Sequence, residues 1–173
     1  MATFIDKEGS IFESGADVLV CPVNCTPGVM GAGLAREFVK RWPTLKALHR
    51  DRVARGTLGI CTPDTVWATH DGPRVVLFPT KRDWRAPSRL GDIRFGMSAV
   101  PSLLGFQRWT RHSEDGQTYE QITRPAWCRS IAFPALGCGL GGLQWEDVRP
   151  LIVEAMAPLD ITVMLYAPKE GDA

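Results

Sequence analysis

Two glycine-rich turns and one lysine hold the residue types from which chemistry can be built. The first turn, NCTPGVMGAGL, runs from Asn24 to Leu34 and follows the apolar run ADVLVCPV. Gly28, Gly31 and Gly33 leave its backbone free of Cβ atoms, so amide N–H groups can converge on one point. The helical pattern behind it adds unpaired N–H donors and the positive end of a helix dipole. Together these suit a phosphate or pyrophosphate. The spacing G-x2-G-x-G matches neither the Walker loop nor the G-x-G-x2-G dinucleotide fingerprint, so a purely structural turn is the competing reading. The second turn, PALGCGLGG from Pro134 to Gly142, repeats the arrangement with glycines at 137, 139, 141 and 142. In a parallel sheet both turns would leave the carboxyl edge of neighbouring strands, where open α/β sheets bind ligands, and could clamp one diphosphate. Asn24, at the strand end, suits a sugar hydroxyl or an Asx-turn cap.

Lys81 follows VVLFPT at that same edge. A lysine there is a phosphate clamp, a surface charge or a nucleophile. An amine that is partly desolvated, or beside cations such as Arg82 and Arg85, becomes nucleophilic near neutral pH. The anomeric carbon of a ribose is electrophilic once its leaving group departs, and an amine there forms a Schiff-base-type adduct. Trp84, Arg82 and Arg85 are either solvated loop residues or contacts to a macromolecular backbone beside the scissile bond. Trp145 either packs on its helix or lines a ribose pocket. Arg108 to Arg124 is a candidate rim.

These turns need strands to launch them and helices to receive them. Ala16 to Val23 reads as a strand buried on both faces. Leu34, Phe38 and Trp42 recur at helical spacing up to Pro43, and a more basic helix from Thr44 to Ala54 closes at Gly56. Thr57 to Cys61 and Arg74 to Pro79 are strand candidates joined across the turn His70 to Pro73. Ser88 is the expected N-cap of a helix reaching Leu104. Gly105 to Trp127 is a long loop or a hairpin. A strand at 130–134, a helix at 145–157 and a strand at 161–166 complete the order, with the last seven residues a tail. Pro150 requires that its helix place it in the first turn or kink. Strands alternating with helices make this an α/β layered fold.

The 173 residues suit one domain. With 45% hydrophobic and 23% charged residues the composition is that of an ordinary globular chain. A net charge of +1 argues against broad, non-specific nucleic-acid binding, while leaving room for a nucleic acid presented at one site. No run reaches the ~18 to 20 apolar residues of a membrane span, and MATFIDKEGS lacks a signal-peptide core, so a cytoplasmic chain is expected. Five cysteines without a C-x2-C pair read mostly as buried reduced thiols, and His49, His70 and His112 lack zinc-ligand spacing.

The opening EGSIFESGADVLVCPVN, the loop through GVMGAGLA and the segment PALGCGLGGLQWEDV together resemble a macrodomain, the ADP-ribose-binding α/β module. FPTKRDWRAPSRL, from Phe78 to Leu90, is similar to the lysine-bearing segment of one branch. That branch holds lysine-dependent ADP-ribosyl hydrolases, among them the DarG antitoxin macrodomains and the human terminal ADP-ribose glycohydrolase. The resemblance implies a single macrodomain over residues 1–173, a three-layer α/β/α sandwich with a mixed, mostly parallel central sheet. It implies a hydrolase that removes mono-ADP-ribose from DNA bases or protein Glu/Asp with Lys81 as nucleophile. The alternatives are a non-catalytic reader of ADP-ribose and, more weakly, a phosphatase acting on ADP-ribose 1″-phosphate. ADP-ribose contacts are implied for Ser10, Ile11, Phe12, Asn24, Gly28, Val29, Met30, Gly31, Gly33, Leu34 and Thr80. The second loop adds Pro134, Ala135, Leu136, Gly137, Cys138, Gly139, Leu140, Gly141 and Trp145. No cofactor or metal is implied; the partners are ADP-ribosylated DNA or protein and a DNA ADP-ribosyltransferase toxin, for a monomer away from membranes. Two positions depart from the family. Gly141 stands where the human enzyme has an aspartate, as in DarG-like sequences, which tilts the expectation toward DNA. Ser10 stands where most macrodomains read the adenine amine with an aspartate, leaving that task to the backbone around Ser10, Ile11 and Phe12.

Overall fold

The computed structural model describes residues 1–67, 72–113 and 117–168. Six strands form one sheet: β1 (Thr3–Lys7), β2 (Val18–Asn24), β3 (Asp64–Trp67), β4 (Arg74–Lys81), β7 (Ser130–Pro134) and β8 (Thr162–Tyr166). Their order is β1-β8-β7-β2-β4-β3, parallel throughout except for the edge strand β3, which runs antiparallel to β4. A separate antiparallel hairpin joins β5 (Gln107–His112) to β6 (Thr118–Thr123).

Side chains alternate across a strand, so a central strand needs cover on both faces. On β2, Leu19, Cys21 and Val23 pack with Phe38 and Leu45 from α1 (Gly33–Arg41) and α2 (Thr44–Ala54). Val18 and Val20 point the other way, into a cluster with Met97 and Val100 of α3 (Leu90–Leu103) and Ile152 of α4 (Trp145–Met156). The result is the expected α/β/α sandwich with a mixed, mostly parallel sheet. No helix among the described residues is long and apolar enough to cross a membrane.

Several boundaries differ from the sequence expectation. Residues 57–61 form no strand: the amides of Gly59 and Thr62 each bond the other's carbonyl, and Cys61 takes a positive φ of 70°, which closes a tight turn. The edge strand β3 follows it. Ser88 does not cap α3; Arg89 holds the extended N-cap position, with no side-chain hydrogen bond. The polar, alternating β1 carried too weak an apolar signal to be foreseen and gains its place by pairing with β8. The polar stretch after Gly105 resolves into the β5–β6 hairpin rather than a loop. Pro150 lies in the second turn of α4, and the helix continues through it. Of the anticipated turn at 70–73, His70 and Asp71 lie outside the described residues, as do residues 169–173 of the anticipated tail.

Gly96, on the buried side of α3, shows how closely the layers approach. A Cβ there would sit 2.7 Å from the Phe78 ring, which is itself fully buried. Alanine would gain about 1 kcal/mol of helix propensity, but overpacking against an immovable ring costs about 1–3 kcal/mol. With a contact as short as 2.7 Å the clash outweighs the gain, and Gly96→Ala is expected to lower stability by about 1 kcal/mol in urea unfolding.

Candidate functional site

Because β7, β2 and β4 are parallel neighbours, the segments that leave them share one edge of the sheet. Three loops meet there, at residues 25–32, 82–89 and 135–144. In the first, the amides of residues 30–35 make no hydrogen bond among the described residues; the first bond of α1 runs from Arg36 to the Ala32 carbonyl. A run of loop and first-turn amides is thus left without an internal partner, the feature that suits a helix start to an anion. In the second loop, Cys138, Gly142 and Leu143 spend their amides on its own carbonyls, while those of Gly139, Leu140 and Gly141 stay open. The two loops face each other, since a Cβ on Gly33 would lie 3.8 Å from the Leu140 side chain.

The open backbone of the first loop is held by side chains. Asn24 accepts from the Thr26 amide at 2.8 Å and donates through Nδ2 to the Val29 carbonyl at 2.8 Å. This is the Asx-turn role, and it leaves one Nδ2 hydrogen for a ligand. Gly28, at φ 73°, gives its amide to His49 Nδ1 at 3.1 Å and so offers no amide to a phosphate. Since Nδ1 accepts, the His49 proton sits on Nε2, which donates to the Asn24 carbonyl at 2.8 Å. His49 is buried within α2, and this burial pushes its pKa below the ordinary histidine value, the bond to Asn24 opposing in smaller measure. Sequence reasoning passed over His49 because its role depends on α2 folding back under the loop. Met30 is buried in the α1 and α2 core, pinning the loop's far side.

Lys81 ends β4 opposite Asn24, just past a register shift that leaves Thr80 as an extra residue. Bulges of this kind commonly re-aim side chains at functional edges. The Thr80 hydroxyl donates to the Val23 carbonyl, so its side chain serves the sheet. The Cys25 amide donates to the Lys81 carbonyl at 3.0 Å, and Lys81 Nζ donates to the Leu140 carbonyl. The amine thus reaches from β4, past the end of β2, to the loop after β7. It stands between the two glycine loops.

Ser88 underpins the second loop. Its amide donates to the Gly141 carbonyl at 2.9 Å, and its buried Oγ has no partner among the described residues. A Cβ on Gly141 would overlap Ser88 Oγ and the Gly137 carbonyl, and one on Gly137 would lie 2.9 Å from Ser88 Oγ. No side chain fits at 141, a carboxylate included. The other nearby acids are occupied. Asp92 accepts two bonds from the Arg82 guanidinium, at 2.8 and 3.1 Å, and this pair holds the Arg82 pKa above its usual value. Asp83 accepts from the Thr26 hydroxyl and the Arg85 amide, and the Arg85 bond leads in keeping its carboxyl below the ordinary range. The Arg85 guanidinium stacks 4.4 Å above the exposed Trp84 ring.

The remaining implied contacts are less concentrated. Ile11 is buried in a short 3₁₀ turn packed against β7, and Ser10 Oγ accepts the Phe12 amide, so that amide is not open to an adenine. Phe12 lies edge-on to Phe38 at 4.8 Å. Trp145 opens α4 and packs against its core, as does Leu136. Cys138 is buried, its thiol pushed up to about 11 by desolvation, and all five cysteines are unbridged. Among the described residues no three His, Cys, Asp or Glu side chains group for a metal.

No protein-family model matches the chain. It is 33% identical over 170 residues to the DNA ADP-ribosyl glycohydrolase of Mycobacterium tuberculosis, a match that covers 94% of this chain and 42% of that protein. The chain thus spans less than half the length of this curated relative. Among solved structures, the macrodomain of Mycobacterium tuberculosis DarG superimposes with a TM-score of 0.78 at 31% identity, covering 98% of this chain and 100% of the other. Thermosipho africanus DarTG in complex with ADP-ribose gives 0.75 at 29% identity, covering 96% of this chain and 42% of that one.

The His49 clamp makes the first loop sensitive to acid. Unfolded histidine titrates near about 6.5 and the folded value is lower. The unfolded state therefore binds the extra proton, so this contribution is complete above about pH 6.5 and declines as pH falls toward the folded value. The melting temperature is expected to drop between pH 7.5 and 5.5. His49→Phe should flatten that drop while costing about 1–3 kcal/mol at pH 7.5, because it leaves the Gly28 amide and Asn24 carbonyl unpaired. Differential scanning fluorimetry across pH on both proteins checks this.

Proposed function

Because this chain belongs to the macrodomain family, in the company of the DarG macrodomains, we propose that it is an ADP-ribosyl hydrolase releasing a single ADP-ribose from a macromolecule through Lys81. The observation that carries this is the Lys81 amine, held at the Leu140 carbonyl between two loops whose amides are open. The loops take the diphosphate, and the ribose that follows it brings its anomeric carbon to the amine. As the bond to the leaving group breaks, the Lys81 lone pair attacks that carbon. Opening of the sugar ring gives a Schiff-base adduct, and water then returns the free amine and releases ADP-ribose.

A pair of carboxylates is the ordinary means of cleaving a glycosidic bond. Here position 141 excludes one sterically, and Asp83 and Asp92 are tied to Thr26, Arg85 and Arg82. That supports a mechanism resting on the lysine, with water or the substrate handling protons. Of the two substrate classes, DNA is favoured. Glycine at 141 supports it, as does the exposed Trp84 beside Lys81, which offers a face for a base next to the modified one. In this reading the chain works as a cytoplasmic monomer, and its counterpart is a DNA ADP-ribosyltransferase.

Wild type and Lys81→Ala are to be incubated with ADP-ribosylated single-stranded DNA and with glutamate-ADP-ribosylated protein, and free ADP-ribose measured. The expected outcome is release from the DNA by wild type and a fall of about 10²-fold or more in the variant. ADP-ribose binding by calorimetry should be largely retained. Absence of release by wild type from either substrate would reduce the protein to a reader of ADP-ribose, and full activity in Lys81→Ala would refute the lysine step.

A further inference from the structure

A second cleft, of about 550 Å³, opens at the amino edge of the sheet, away from the three loops. Arg74 begins β4 and Lys81 ends it, which separates the two regions by roughly 23 Å at about 3.3 Å per residue. On one wall the Arg74 guanidinium is sandwiched between two indoles, 3.5 Å from the Trp127 centroid and 4.4 Å from that of Trp67. On the other wall the Arg41 guanidinium lies over Phe12 at 5.2 Å and Trp42 at 6.0 Å. A basic residue closing α1 satisfies the helix dipole, but that does not account for two arginine–aromatic stacks lining one cavity.

Three features indicate what the cleft takes. The Arg74 Nε is shut off from solvent and has no hydrogen-bond partner among the described residues, a state that buried donors rarely keep without reason. Trp67 is 55% exposed, a large flat face turned to water. Among the described residues lining the cleft the one acid is Asp17, and its Oδ2 already accepts from the amides of Arg129 and Ser130 and the Ser130 hydroxyl. Two cations fixed on aromatic rings beside one open indole, that of Trp67, are the kind of surface on which proteins hold single-stranded nucleic acid: a base stacks on the ring and phosphates meet the guanidinium edges. A whole-chain charge of +1 does not conflict with this, because the cations are gathered locally.

We propose that this amino-edge cleft is a binding site for single-stranded nucleic acid, with a base on Trp67 and neighbouring phosphates on Arg41 and Arg74. The site lies away from the two glycine loops, shares only Phe12 with the implied ADP-ribose contacts, and does not depend on the hydrolase reading. It is tested on unmodified DNA: a fluorescently labelled oligothymidylate of about 12 nucleotides is titrated with the full chain, following anisotropy, at roughly 50 mM salt and above. Wild type should bind, more weakly as salt rises, and saturating ADP-ribose should leave binding unchanged. Trp67→Ala and Arg41→Ala, both at exposed side chains, should each weaken it by about tenfold with unaltered melting temperatures. The proposal fails if wild type does not bind, if both variants bind like wild type, or if ADP-ribose displaces the strand. It also fails if a duplex of the same length or a polyglutamate peptide binds as tightly, since either would mean that charge alone is read.

Discussion

The amides of residues 30–35 carry no hydrogen bond among the described residues, and a stretch of backbone left open in this way has to be held by something else. Here the holders are side chains around the loop, Asn24 at the end of β2 and His49 on α2, together with the loop's own Met30 turned into the core. Asn24 and His49 sit on elements whose own positions are set by packing, because β2 is covered on both faces and α2 rests on the same cluster as α1. The ordering cost of the loop is thus met during folding rather than on binding, which is what preorganisation means for an anion site built from dipoles.

The same economy governs charge. Arg82 is matched by Asp92, Arg85 lies on Trp84, and Asp83 is saturated by donors from its own loop and from Thr26. The Lys81 amine, by contrast, meets no carboxylate among the described residues and donates to a carbonyl of the second loop, beside the open amides. An arrangement of this kind favours a compact diphosphate over an extended polyanion, since amide dipoles act only at contact distance while arginines attract from afar. Under the reading proposed above, a chain of near-zero net charge can hold an anion this way without a basic surface.

The glycine loops and Lys81 were legible in the sequence because their signals are local: a buried run, a Gly-rich turn, a helix start. The layered α/β fold was legible for the same reason. What the sequence concealed depends on contacts between distant segments. His49 looked like one of three scattered histidines until α2 brought it under Asn24 and Gly28. Ser88 looked like a helix cap, yet its amide serves a loop more than 50 residues onward. The β-branched, apolar stretch at 57–61 suggested a strand, but Gly59 and the left-handed Cys61 fold it into a turn, and the shorter Asp64–Trp67 takes the sheet edge. β1 was hidden by its polar alternation and is recruited through β8.

The contact of Gly141 with Ser88 and the Gly137 carbonyl also bears on how this site can change by mutation. Exchanging glycine for aspartate is a single-codon event, so opportunity does not keep the second loop free of acids. Shape does. A carboxylate there needs the Ser88 hydroxyl removed and the turn from 137 to 141 opened together, because the Gly137 carbonyl blocks the position as closely as Ser88 does. No substitution at 141 alone, and none at Ser88 alone, therefore makes room for an acid in this loop.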